Sequence, residues 1–260
     1  MLKLTVNSLK DFQTCERLYD YRYNDENHDS EKIYSRDLIT IKFENTLKTI
    51  LSYFWYKKQG GVTPSYSSLL NRWEKLWFPK DTDSYDIMTE QHESAYGNVA
   101  SLTSKAASVL LTMYEEYSDA EIIPMNISDE YIATPNKKCN ITDVYDIMYW
   151  KDGSIYVIKY FFNYKSKNSY MYQLDFSTMW MGFSNRYPEK LPNAKFGYID
   201  LLSTDVTFQE YVVTNEDINA VRYWCEQIVE KELFVPRRGL TPYCKKCPYD
   251  DPCSKWTGWK

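Results

Sequence analysis

NITDVYDIMYWKDGSIYVIKYFFNYK, residues 140–165, reads as two β-strands folded back on each other about Asp152-Gly153. An Asp-Gly pair is a strong two-residue hairpin signal, because the turn needs positive φ at both central positions. The flanking residues then pair symmetrically: Lys151 with Ser154, Trp150 with Ile155 and, counting outward, Asp146 with Lys159. Cross-strand partners share a face, with Cβ atoms ~5 Å apart. Side chains alternate between faces, so Phe161 lies with Lys159, while Asp143 points away from Asp146. The hairpin thus sets an acid against an amine on one face of a sheet, which reads most simply as a cross-strand ion pair.

Around this hairpin the chain divides by pattern. Ser8, followed by Asp11, Phe12, Cys15, Leu18 and Tyr19, predicts a capped amphipathic helix. The polar run 24–32 predicts a loop. Phe43, Leu47, Ile50, Leu51 and Phe54 recur at helical spacing within 37–58. QGGVTP (59–64) breaks the chain, a short helix over 67–77 follows, and 90–118 again reads as helix. Segments 121–133 and 139–162 are rich in Ile, Val and Tyr and predict strands. Residues 170–183 return to helix, 194–202 and 208–214 predict two more strands, and Asn215 caps a helix from 216 to about 233. The order predicts an α/β fold with a mixed central sheet flanked by helices. The expected divisions are a helical lobe at about 35–118, a sheet core at 119–235 and a tail at 236–260.

Composition narrows the function classes. A hydrophobic content of 43% and a charged content of 26% are those of a globular chain, and no apolar run reaches the ~18 residues of a membrane span. MLKLTVNSLKDFQTC lacks a long apolar core and a small-residue cleavage site, so the expected location is cytoplasmic, with no membrane partner. A net charge of −5 argues against a blanket polyanion binder; nucleic-acid contact would need a local basic patch. The only two histidines, His28 and His92, lie in no recognisable motif.

Three of the six cysteines crowd into TPYCKKCPYDDPC, residues 241–253. In a reducing compartment this spacing suggests a metal rather than a disulfide. Zinc and a cubane iron–sulfur cluster each want four ligands, so Cys244, Cys247 and Cys253 need a fourth from Cys15, Cys139 or Cys225. Cys225, beside Trp224 and Ile228 on a predicted helix, reads as a small buried hydrophobe.

SLKDFQTCERLYDYRY (8–23) together with the C-x₂-C-x₅-C tail resembles the RecB-family PD-(D/E)xK nucleases that carry a four-cysteine iron–sulfur cluster. These include the AddB-type subunits of bacterial helicase–nucleases and the nucleases of CRISPR adaptation. The resemblance runs over almost the whole chain and implies one nuclease-like domain over 1–260. It implies that Cys15, Cys244, Cys247 and Cys253 hold a [4Fe–4S] cluster, with zinc as the alternative, and that the cysteine tail closes on the N-terminal helix. Such a closure would staple a loop of more than 200 residues and restrict the unfolded chain.

The same resemblance places the chemistry on the hairpin, and there this chain departs from the family. Relatives carry an Asp on one strand and an acid-x-Lys triplet on the next, holding a divalent cation. Here Asp146 survives, Lys159 stands at the second acid and Phe161 at the lysine. Glu44 falls where the family often has histidine, and Glu130 matches an acid that often precedes the hairpin. Gln173 is kept, but its partner tyrosine is Ser177. An ammonium opposite Asp146 neutralises the carboxylate and repels a divalent ion, so no catalytic magnesium or manganese is expected.

The leading expectation is therefore a pseudonuclease that binds nucleic acid or serves as a subunit of a DNA-processing assembly, with a helicase or nuclease as partner. Lys159, Lys165, Lys167, Arg237 and Arg238 are candidate DNA contacts. One alternative is an active metal-dependent DNA exonuclease with a rearranged site of Glu44, Glu130 and Asp146. Another is an interaction subunit that touches no nucleic acid.

Overall fold

The computed structural model describes residues 2–24, 38–78, 97–122, 137–142, 145–162, 170–203 and 206–235, with Cys244, Cys247, Tyr249 and Cys253. Glu130, Asp143, Lys165, Lys167, Arg237, Arg238 and both histidines lie outside the described residues.

The chain opens with strand β1 (Leu2–Thr5), then helices α1 (Val6–Thr14) and α2 (Glu16–Tyr23). The expected single helix is interrupted at Cys15, whose backbone is extended (φ −162°, ψ 121°). Thr5, not Ser8, is the cap: Thr5 Oγ1 accepts from the Ser8 N–H, and Ser8 Oγ accepts from the Thr5 N–H, a reciprocal capping box. Three longer helices follow, α3 (Leu38–Gln59), α4 (Tyr66–Trp77) and α5 (Val99–Tyr117). Their first cap hydrogen bonds come from Ser65 for α4 and Asn98 for α5.

The strands are β2 (Glu121–Ile122), β3 (Cys139–Thr142), β4 (Ile147–Lys151), β5 (Ser154–Phe161), β6 (Ala194–Asp200) and β7 (Phe208–Glu210). Helix α6 (Tyr170–Arg186) lies between β5 and β6, and α7 (Asn215–Glu230) follows β7. The cap of α7 is Thr214 rather than Asn215, in a second capping box with Asp217.

The main sheet has the order β2-β4-β5-β6-β7 and is mixed: β5 and β6 are parallel, the other pairs antiparallel. Parallel neighbours need a crossover, and α6 supplies it. A second, two-stranded sheet pairs β1 with β3 in parallel, Leu2 opposite Cys139. The hairpin has the predicted register, with Lys151 opposite Ser154 and Ile147 opposite Ile158. Asp152 (φ 50°) and Gly153 (φ 75°) both take the left-handed conformation that this turn requires.

Alternation along β4 and β5 sorts residues to two cores. Ile147, Tyr149, Ile158 and Tyr160 face α3–α5, where Phe43, Leu47, Ile50, Leu51 and Phe54 are all buried as the periodicity predicts. Met148, Ile155 and Val157 face α6, against Phe176, Met179 and Phe183. Each such side chain contributes roughly 1.5–3 kcal/mol by leaving water. A third cluster packs Leu9 and Phe12 of α1 against Ile218, Val221 and Cys225 of α7. Helices α3, α4 and α5 thus cover one face of the sheet and α6 the other, a layered arrangement with a core on each face. Among the described residues no helix is long and apolar enough to cross a membrane.

Candidate functional site

Asp146 lies one residue before β4, and its N–H donates to Ile158 O at 2.8 Å; the paired register itself ends at Ile147–Ile158, one position short of the expected Asp146–Lys159 pair. The residues expected to matter meet here. A cleft of about 500 Å³ is lined by Glu44 from α3, Asp146, and Lys159 and Phe161 from β5. It is also lined by Lys10 of α1, Lys48 of α3, and Tyr172 and Asp175 of α6.

The expected Asp146–Lys159 ion pair is replaced by other contacts. Asp146 Oδ2 accepts the Tyr160 N–H at 2.7 Å. Lys159 Nζ instead lies 3.3 Å from Oδ1 of Asp175, and Lys10 Nζ is ion-paired with Oδ2 of the same carboxylate. Strand register fixes where Cβ atoms stand; the four-carbon lysine stem carries the charge on to the helix above the sheet. Asp175 is the functional residue that sequence reasoning missed. Its side chain is 1% exposed, and a carboxylate so buried persists as an ion only when paired. The signal was present: YMYQLDFSTMWMGF is nearly apolar throughout, and a lone acid within it demands a partner.

Phe161, at the family's lysine position, is caged by Tyr172, Phe176 and Tyr198 at centroid distances of 5.0, 6.0 and 5.8 Å. Lys10 Nζ lies 6.0 Å from its centroid and 5.5 Å from that of Tyr172. Burial, then Asp175 and Asp200, push the Tyr172 phenol up. Positive charge therefore returns to this spot from α1, although β5 no longer supplies it. Gln173 lies away from the cleft lining, and its side chain hydrogen-bonds to the Tyr211 hydroxyl. Ser177 is fully buried, its hydroxyl donating back to Gln173 O at 2.6 Å, so it offers the cleft nothing.

The Lys10–Asp175–Lys159 triad has two positive charges and one negative. Lys48 Nζ, on the wall opposite, lies 5.8 Å from the Phe162 ring centroid. Over the whole lining the formal charges balance, with Lys10, Lys48 and Lys159 against Glu44, Asp146 and Asp175.

The cysteines gather elsewhere. Cys15, Cys247 and Cys253 pack against Leu18, Tyr21 and Tyr249. Cys244 is linked to Cys247, whose N–H donates to Cys244 O at 3.3 Å. Tyr249 stacks on Tyr21 at 5.0 Å. The approach to this cluster is fastened to α2 and its neighbours: Glu16 pairs with Lys231 at 2.9 Å and accepts the Val235 N–H, while Phe234 stacks on Tyr19 at 5.5 Å. Burial pushes the Cys247 thiol up, and the charges of Cys15 and Cys244 add to the rise; the Tyr249 backbone and Arg22 oppose it.

These four residues fit a thiolate-bound group in donor chemistry, and three of them, Cys15, Cys247 and Cys253, are drawn around one aromatic cluster. As placed, the sulfurs do not enclose a common point: among the described residues, no three His, Cys, Asp or Glu side chains are grouped to hold a metal ion. Cys139 and Cys225 are both fully buried and hydrogen-bond to each other through their thiols, which with burial pushes Cys225 up. They belong to the α1–α7 core, as expected for Cys225.

No protein-family model matches this chain, and no curated protein matches it.

Proposed function

We propose that this chain is a nuclease-like protein whose former metal site now holds a phosphate group of nucleic acid without cutting it. The observation that carries the reading is the triad: Lys159, in the same cleft as Asp146, is tied by buried Asp175 to Lys10. Two ammonium groups stand where the resemblance would place a divalent cation and its ligands. They attract a phosphodiester, but they generate no metal-bound hydroxide and do not stabilise a leaving oxygen.

The resemblance also supports a [4Fe–4S] cluster, or zinc, on Cys15, Cys244, Cys247 and Cys253. Such a group would supply cross-linking strength, joining α2 to the tail. The protein's own residues already begin that closure through Glu16, Lys231 and Phe234.

The test pairs two measurements on protein with its metal retained. Single-stranded DNA should bind with an affinity that falls as salt rises, and DNA incubated with Mg²⁺ or Mn²⁺ should stay intact. Absence of binding at low salt ends the nucleic-acid reading. Metal-dependent cleavage lost in Asp146→Ala would instead establish a rearranged active site, a reading favoured by Glu44 and Asp146 lining one cleft.

A further inference from the structure

A second concavity, of about 380 Å³, lies on the α3–α4 face, lined by Tyr53, Ser67, Ser68, Asn71, Arg72 and Lys75. Every lining side chain carries a polar group, and none is acidic. Arg72 and Lys75 make no ion pair among the described residues, although the chain has 36 acidic residues against 31 basic ones. The Arg72 guanidinium sits 4.2 Å from the Tyr53 ring centroid, and Lys57 Nζ lies 5.8 Å from the same centroid. Two cations, Arg72 and Lys57, thus lie at one aromatic ring, with Lys75 lining the same concavity, within an acidic protein.

The ring also organises them. The Arg72 guanidinium lies within cation–π reach of Tyr53, which restrains its fork of N–H donors before any ligand arrives. That fork matches two oxygens of a tetrahedral anion. The hydroxyls of Ser67 and Ser68 and the Asn71 amide provide further donors beside it. Tyr53 is engaged by Arg72 and Lys57, so the concavity is built for a phosphate rather than for stacking a base.

We infer that this α3–α4 concavity is a phosphate-binding site for a nucleic-acid strand, separate from the cleft around Asp175. The inference extends the nucleic-acid reading and rests on it for the source of the phosphate.

The experiment titrates a fluorescent single-stranded 30-mer into full-length protein over a salt series, with sodium pyrophosphate as a competing probe. Three proteins are compared: unaltered, Arg72→Gln with Lys75→Gln, and Lys48→Gln in the cleft. All three substituted positions are on helix surfaces, and matching thermal unfolding verifies folding. Removing two phosphate contacts should lower the slope of log affinity against log salt by about 1.4. A fourth protein, Arg72→Lys, which keeps the charge and loses the fork, should keep the slope and bind more weakly at every salt concentration. An unchanged slope in the double variant overturns the inference; if Lys48→Gln still weakens binding, the cleft reading survives. No binding by the unaltered protein defeats both. Pyrophosphate bound at this concavity without competition by the 30-mer would also overturn the strand assignment, because the source would be a free phosphate compound.

Discussion

Lys159 and Asp175 meet across the space between β5 and α6, with 3.3 Å between Nζ and Oδ1. The lysine side chain is 17% exposed and the aspartate 1%, so the contact is largely shielded from water and salt. Removing one member of such a pair leaves an uncompensated charge in the interior. Asp175→Asn should therefore destabilise the protein by roughly 3–5 kcal/mol. Asp146→Asn, at an exposed position where the amide oxygen can still accept the Tyr160 N–H, should cost under about 1 kcal/mol. Urea unfolding midpoints of the two variants check the contrast; equal midpoints would show that the triad contributes nothing.

The hairpin register makes a reciprocal prediction. Lys159→Asp with Phe161→Lys should place a second carboxylate beside Asp146 and restore a cation to β5. Calorimetry with Mn²⁺ should then detect one site per chain that the unaltered protein lacks. A silent titration of the folded double variant would count against the assignment of these two positions.

The cysteines divide into two sets with different expected sensitivity. On the proposed four-cysteine assignment the purified protein should contain metal, and Cys15→Ala or Cys253→Ala should abolish it, with any absorbance near ~400 nm, and lower Tm. Cys225→Ala, in the α1–α7 core, should keep the metal and lose only packing, by about 1 kcal/mol. Metal content per chain decides: retention in Cys15→Ala contradicts the four-cysteine assignment.

The tyrosines set an alkaline limit. Burial pushes Tyr19 and Tyr117 up to about 12, and raises Tyr149 and Tyr160 as well. An unfolded tyrosine titrates near ~10. Between about pH 10 and 12 the unfolded chain releases protons that the folded chain retains, so stability falls as pH rises through that window. Phenolate absorbance should grow in two phases, the second coinciding with loss of the helical circular-dichroism signal. A single phase with the helices intact would contradict it.

What was legible in the sequence follows from range. Asp152-Gly153 set the register because a two-residue turn leaves no slack, and the apolar positions of α3 were visible because helical period and burial coincide there. Cap positions shifted, Ser8 to Thr5 and Asn215 to Thr214, since neighbouring hydroxyls and amides compete for the same N–H groups. The break at Cys15 was hidden because the apolar pattern continues from Phe12 to Tyr19 across it. Lys10 was illegible as a cleft residue, since its role depends on how α1 docks against α6, which no local pattern encodes. Asp175 stood within reach of the argument, as a charge inside an apolar helix, but its partners come from elements far away in sequence.

The parallel pairing of β1 with β3 also governs the order of assembly. Residues 2–5 cannot find their partner strand before residue 142 exists, and Leu9 and Phe12 wait longer, for Val221 and Phe234. While the chain emerges from the ribosome, its first helix carries a bare apolar stripe. Truncation before residue 235 would make that exposure permanent, so interrupted synthesis should yield chaperone-bound or degraded fragments rather than a smaller folded protein.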